Sequence, residues 1–386
     1  MKILLSFLQD TGGVPYPIPS YRFWTYYIKN GIEEAGMEWT ELQDADWAKG
    51  LTFSEKSPEL QEWKSQIWED QLAFIRKNQK NIDLFLTYLY PKQIDIHAIS
   101  EIKKMGIPCV NFFCDNIREF HVVPDEFKVF DLNWVPEFES LEMYNKQNVQ
   151  NIHLPMPMWV DRQARSLEKI TETNLVSFIG SKDILRERLL SEVINKGLPI
   201  EIYGRDWVRK QENTFSNSNK SLINVALNQW DFIKANGIKE YLLRRVNTLG
   251  ANSKKEIDPA FLHPDIDFSE YIAITRNSSV ILGINRVPTH KRLHSHPIKY
   301  SRLRDIEAPM LGACYLTEHC HGLSSMYELG KDIMSYNTSE ELVDKASFLL
   351  NHASVRESLR INGQNKALKE LSIPASLQKI KMALFR

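Results

Sequence analysis

The sequence predicts an α/β protein made of two parallel-sheet domains, and three observations lead there. Short apolar runs alternate with helical stretches over the N-terminal part of the chain, which is the pattern of a mostly parallel sheet covered by helices. That periodicity lapses in PMPMWVDRQARSLEKITETN, so a linker is placed near residues 157–172. A second cycle of strand and helix then opens at NLVSFIGS. With 386 residues, 43% of them hydrophobic, the chain exceeds one ordinary core and can fill two. The expected division is 1–165 for the first domain, 172–365 for the second and 366–386 for a terminal helix that packs back on the first or lies on the surface.

In the first domain KILLSFL (2–8) reads as the opening strand, followed by a helix from about Tyr21. IDLFLTYL (82–89) and PCVNFF (108–113) are strands with a helix near 93–105 between them, and DLNWVPE (131–137) and NIHLPM (151–156) are shorter strand-like segments. Over residues 62–77, Trp63, Ile67, Phe74 and Ile75 recur at helical spacing, with Trp68 and Leu72 widening the face, which reads as core. In the second domain NLVSFIGS (174–181) leads into a helix near 184–196 and then to PIEIYGRDW (199–207). Residues 211–260 read as an insertion, a polar loop followed by helical candidates near 223–235 and 238–249. SSVILGINR then opens into the basic loop VPTHKRLHSHP, a helix is expected over 301–311 with Gly312 as its stop, and ACYLT is the next strand.

Lys and Arg total 48 against 49 Asp and Glu, so nothing draws the whole chain to nucleic acid or to an anionic membrane. The opening MKILLSFLQD is too short for a signal peptide, and no apolar run approaches a membrane span. A cytoplasmic location with at most transient membrane association is the expectation. Cys109 with Cys114 and Cys314 with Cys320 lack the spacing of a zinc knuckle, which predicts reduced thiols and no metal site.

Any phosphate chemistry is therefore local, and one stretch carries it. Arg286, Lys291, Arg292, Lys299, Arg302 and Arg304 occur with three histidines before the first acid, Asp305. On the expected helix Arg304 and Glu307 share a face. A guanidinium fork suits a diphosphate and a carboxylate can accept both hydroxyls of a ribose; an ion pair on a solvated face fits the same spacing. Gly180, between a strand and a helix, offers a second place for phosphate, although neither a dinucleotide fingerprint nor a P-loop is present. On the other side, Asp115 and Asn116 follow the apolar run CVNFFC, with His121 just beyond, where a strand end could present them to an acceptor hydroxyl. Gly12 and Gly13, after the first strand, allow either close approach of an acceptor or an ordinary turn.

SRLRDIEAPMLGACYLTE and the ending GLSSMYELGKDIMSYNTSEELVDKASFLLNHASVRESLRINGQNKAL resemble the glycosyltransferases of the GT-B architecture, most closely the spore-maturation-protein CgeB-like group of bacterial transferases. VNFFCDN, NWVPEFESLEMYNKQNVQNIHLPMPMW and VSFIGSKDILRERLL carry the likeness over most of the chain. The resemblance implies two Rossmann-like domains facing a central cleft, the acceptor on the first and the nucleotide sugar on the second. It implies bacterial glycan biosynthesis by hexosyl transfer to a glycan, lipid-linked or protein acceptor. No DxD carboxylate cluster stands at a convincing strand end and the local cations can neutralise a diphosphate, so no metal or other cofactor is expected, and the balanced charge leaves no nucleic-acid partner. Glu307 matches the acid assigned to the donor ribose in retaining members, which often have a second Glu eight residues earlier; this chain has Lys299 there.

The expected donor-binding set is thus Gly180, Arg292, Lys299, Arg304 and Glu307. Asp115, His121 and Arg304 are the expected catalytic residues, and Gly12, Gly13, Asp115 and Asn116 the acceptor side. Three alternatives remain open: an inverting transferase with Asp115 as base, a nucleotide-sugar epimerase, and a non-catalytic sugar-nucleotide-binding protein.

Overall fold

The computed structural model describes residues 1–7, 21–208, 257–286 and 297–385. Gly12, Gly13, Lys291, Arg292 and nearly all of the expected 211–260 insertion lie outside them. By contacts the chain forms two units, the first comprising Met1–Asp161, Ser301–Glu307 and Lys366–Arg386, the second Arg162–Tyr300 and Ala308–Asn365.

The first unit is a six-stranded parallel sheet of β1 (Lys2–Ser6), β2 (Glu38–Glu41), β3 (Leu84–Thr87), β4 (Cys109–Phe112), β5 (Leu132–Val135) and β6 (Asn151–His153), in the order β2-β1-β3-β4-β5-β6. Strands β3, β4 and β5 are buried along their whole length, as a parallel sheet covered on both faces requires. Its helices are α1 (Tyr21–Glu34), α2 (Pro58–Asn78), α3 (Ile96–Lys104), α4 (Asn116–Glu119) and α5 (Leu141–Lys146). Ser57 caps α2 with Pro58 in its first turn, and Asp95 caps α3. Trp24, Tyr88, Phe112 and Trp134 pack as a chain of tilted and edge-on rings 5.1 to 5.9 Å apart.

The second unit repeats the plan with β7 (Thr173–Ile179), β8 (Glu201–Tyr203), β9 (Leu262–His263), β10 (Ser278–Gly283), β11 (Tyr315–Glu318) and β12 (Met334–Tyr336), ordered β12-β11-β10-β7-β8-β9 and again parallel throughout. Helices α6 (Ile184–Asn195), α7 (Phe268–Asn277), α8 (Arg304–Met310), α9 (Leu323–Met326), α10 (Ser339–Asn351), α11 (Ala353–Glu370) and α12 (Ile373–Leu384) follow in the chain. Phe178, Ile202, Leu282 and Leu316 join Leu190 and Leu349 in one core. The division by contacts runs through α8, between Glu307 and Ala308, and α12 belongs to the first unit, where Ile373 fills the space left by Gly31 on α1.

Each sheet has a point where the chain reverses its direction of travel, between β1 and β3 in the first and between β7 and β10 in the second. The carboxyl ends of strands at such points are where open α/β sheets bind ligands. All four cysteines are free and buried. Among the described residues no helix is long and apolar enough to cross a membrane.

Candidate functional site

In the second unit the carboxyl ends of β7 and β8 meet through two glycines. Gly204 has φ +132°, and a Cβ on it would lie 2.6 Å from the carbonyl oxygen of Gly180, so only glycine fits this backbone approach. The Gly180 amide donates to the Tyr203 carbonyl at 2.8 Å, and its carbonyl accepts from the Trp207 indole at 2.6 Å. The expected phosphate-receiving amide at Gly180 is therefore already taken. The start of α6 is closed in the same way: Asp183 caps it by accepting from the amides of Leu185 and Arg186, which places a carboxylate where the sequence leaves room for an anion.

Beyond β10 the chain presents Asn285 and Arg286. The Asn285 side chain, buried, donates to the carbonyl of Glu318 at 2.8 Å. Arg286 donates to both carboxylate oxygens of Glu318, at 2.9 and 3.1 Å, and Lys299 Nζ stands 2.8 Å from Oε1. Glu318 ends β11 with no exposure to solvent, and two cations are what make such a carboxylate tolerable. Arg286 and Lys299 are also paired as an antiparallel bridge. Lys299, expected to face a donor, shares the Glu318 carboxylate with Arg286. The sequence signal for Glu318 is the acid that ends the apolar run CYLTE.

Arg304 and Glu307 occupy the first turn of α8, as their spacing predicts. The turn is fixed by Asp305, fully buried, whose carboxylate accepts from the Arg302 amide at 2.9 Å, and by the Glu307 amide donating to the Leu303 carbonyl at 3.0 Å. Glu307 is 6% exposed. Pro309 lies inside α8, and Gly312, at φ +76°, ends it with its amide on the Pro309 carbonyl.

In the first unit the ends of β4 and β5 make a buried polar cluster. Asp115 immediately precedes α4, without a side-chain capping bond, in the left-handed region at φ +70° and ψ +20°, an uncommon conformation for a residue other than glycine. Its carboxylate pairs with Arg118 at 3.0 Å. Asn116 is turned inward rather than outward to an acceptor: its amide donates to Glu137 Oε2 at 2.7 Å and to the Phe113 carbonyl at 2.8 Å, and its oxygen accepts from the Tyr144 hydroxyl at 2.8 Å. Burial pushes Glu137 up to about 8, opposed by the Asn116 hydrogen bond and reinforced by the charge of Asp115. His121 is exposed beyond the end of α4. Glu137, like Glu318, is a residue that sequence reasoning missed, although it follows the apolar run LNWV in the way Asp115 follows CVNFFC.

Two carboxylate-bearing strand ends thus lie in the first unit, and a cation-clamped glutamate with a rigid glycine contact lies in the second. Among the described residues no group of three or more His, Cys, Asp or Glu side chains is placed to hold a metal ion.

Comparison with solved structures gives matches over the whole chain. Sucrose-phosphate synthase from Thermosynechococcus elongatus is 11% identical with a TM-score of 0.56, covering 100% of this chain and 98% of that one. Anabaena HepE, solved in complex with UDP and glucose, is 11% identical with a TM-score of 0.55, covering 100% and 99%. A glycosyltransferase from Rickettsia africae is 10% identical with a TM-score of 0.57, covering 100% and 99%. At these identities the likeness establishes the fold, which is the GT-B architecture expected from the sequence. No curated protein matches at the level of sequence. The model of the family described as glycosyl transferase-like matches residues 186–381, half of the chain and every described element from within α6 into α12. On that match, the chain belongs to the glycosyl transferase-like family of glycosyltransferases.

Proposed function

We propose that this protein moves a hexosyl group from a nucleoside-diphosphate sugar to a hydroxyl of a bacterial glycan, lipid-linked or protein acceptor, in the cytoplasm, as a member of the CgeB-like group. The observation that carries the reading is Glu307, a carboxylate kept at 6% exposure on the first turn of α8 beside Arg304. An acid held this way suits the two hydroxyls of a ribose. Arg304 supplies fixed donors to the diphosphate, whose charge grows as the bond to the sugar breaks. Uridine is the first base to test, because Anabaena HepE was solved with UDP and glucose.

In the reaction the acceptor oxygen bonds to the anomeric carbon while the bond from that carbon to the diphosphate oxygen breaks, and the nucleoside diphosphate leaves with the electron pair. We assign retention of the anomeric configuration, with the acceptor proton passing to the departing phosphate oxygen and no metal required. Gly180 contributes by its small size at the end of β7. Lys299 acts through Glu318, holding the chain that follows β10.

Inversion is the second reading, favoured by the left-handed Asp115 at the end of β4. There the Asp115 carboxylate takes the acceptor proton. Asn116 and Glu137 support that residue from below in either case. Incubation with a panel of sugar nucleotides and acceptors, followed by product mass and proton NMR of the new linkage, tests both readings. Formation of an isomerised sugar nucleotide alone replaces transfer by epimerisation; tight donor binding without turnover leaves a binding protein.

A further inference from the structure

The apolar face of α2 is wider than the part of it that is buried. Leu60, Ile67, Trp68, Gln71 and Ile75 are buried. Trp63, Asp70 and Phe74 continue the face along the edge marked by Ile67, and these four line, with residues 42–46 and Lys49 that follow β2, a groove of about 600 Å³, a size typical of small-molecule sites. The Trp63 ring is held in place. A Cβ on Gly50 would lie 2.3 Å from it, so the indole rests against bare backbone, and Trp47 meets it edge-on at 6.1 Å and 87°. Asp70 stands between Ile67 and Phe74 along this edge, and both of its carboxylate oxygens accept from the Gln66 amide at 3.1 Å. Asp44, in the left-handed region at φ +61°, and Asp46, which accepts from the Lys49 amide at 3.0 Å, also line the groove, as do Lys49 and Lys77.

We propose that this groove binds a neutral oligosaccharide, the non-reacting part of the acceptor chain. A pyranose presents C–H groups on its face and hydroxyls around its edge. The face matches a fixed indole, and the edge matches carboxylates and amides that accept and donate. Three aspartates against two lysines give no preference for a phosphorylated or acidic ligand, which separates this groove from the proposed donor site. The inference rests on the transferase reading for the identity of the chain it holds.

Saturation-transfer NMR of maltotetraose, cellotetraose and chitotetraose against the full-length protein tests it, with UDP binding measured in parallel by calorimetry. At least one tetrasaccharide should receive saturation through its ring C–H protons. Ala73→Trp, which fills the groove from an exposed position, and Trp63→Ala should each weaken that binding by about ten-fold or more, with UDP affinity unchanged. Asp70→Asn, on the surface of α2, should weaken it with no change in melting temperature. Oligosaccharide binding undiminished in Ala73→Trp and Asp70→Asn overturns the inference, as does no binding of any tetrasaccharide by protein that binds UDP. Groove-dependent oligosaccharide binding without UDP binding counts against the donor reading alone.

Discussion

The side-chain amide of Asn116 donates to Glu137 Oε2 at 2.7 Å, joining the carboxyl ends of β4 and β5 through two residues that follow them. The bond also fixes the backbone next to Asp115, since Asn116 accepts from Tyr144 with its other side-chain atom and cannot turn. Removing this amide by Asn116→Ala strands Glu137 and Tyr144 in a dry site. The expected cost is about 2–4 kcal/mol of stability, from two lost buried partners, measured by chemical denaturation. Transfer activity should fall further than stability explains if Asp115 works on the acceptor.

Glu137 links this cluster to pH. Its carboxyl stands at about 8 when folded against an ordinary 4.5, chiefly through burial. The folded state therefore binds more protons than the unfolded state between those values, and the stability Glu137 contributes is fully present below 4.5 and is lost as pH rises through 8. Glu137→Gln keeps the shape and cannot ionise. Thermal melts of the two proteins from pH 4.5 to 9 should diverge as pH rises, with the glutamine variant relatively more stable at the alkaline end; parallel curves would show that Glu137 titrates normally.

Glu318 makes a different prediction, because its partners reach solvent. Arg286 and Lys299 keep 18% and 27% side-chain exposure while the carboxylate between them has none. Glu318→Gln frees two cations that water can still reach, so the stability loss should be modest, about 1–3 kcal/mol. Donor affinity should change through the displaced Arg286 and Lys299 backbone. An unchanged donor affinity with the expected stability loss would confine Glu318 to the scaffold.

The contact of Gly204 with Gly180 predicts intolerance to a single methyl group. Gly204→Ala puts a Cβ 2.6 Å from a carbonyl oxygen at φ +132°, and overpacking of this kind costs about 1–3 kcal/mol. A melting temperature equal to wild type would show that the strand ends can part.

Most of the fold was legible in the sequence because buried parallel strands are apolar along their length. KILLS, LFLT, CVNF, LNWV and SSVILG could be read directly. The strands that escaped were β2, β9 and β12, all at sheet edges, where EWTE, LH and MSY are short or half-exposed and show no apolar run. Around the candidate site, residue types were easier to read than their commitments. The acid after an apolar strand was recognised at Asp115 but not at Glu137 or Glu318, since burial alone separates a surface carboxylate from one that needs partners. Likewise Gly180 looked open to an anion because sequence does not reveal that its amide pairs with Tyr203 or that Asp183 folds onto the start of α6.

Arg304 separates a positioned phosphate contact from a bulk charge. Arg304→Lys retains the positive charge and loses the planar fork. Steady-state transfer with a verified donor should fall by an amount equivalent to about 2–4 kcal/mol, with the melting temperature little changed. Full activity in the lysine variant would remove the clamp; equal losses of activity and folding would make the arginine structural.

The central claim is that Glu307 holds the ribose of a nucleoside-diphosphate donor, and calorimetric titration of UDP, GDP, ADP and dTDP into wild type, Glu307→Gln and Glu307→Ala tests it most directly. One nucleotide should bind wild type specifically, with affinity reduced in the glutamine variant and reduced further in the alanine variant while both remain folded. Specific binding of the same strength in all three proteins would contradict the assignment.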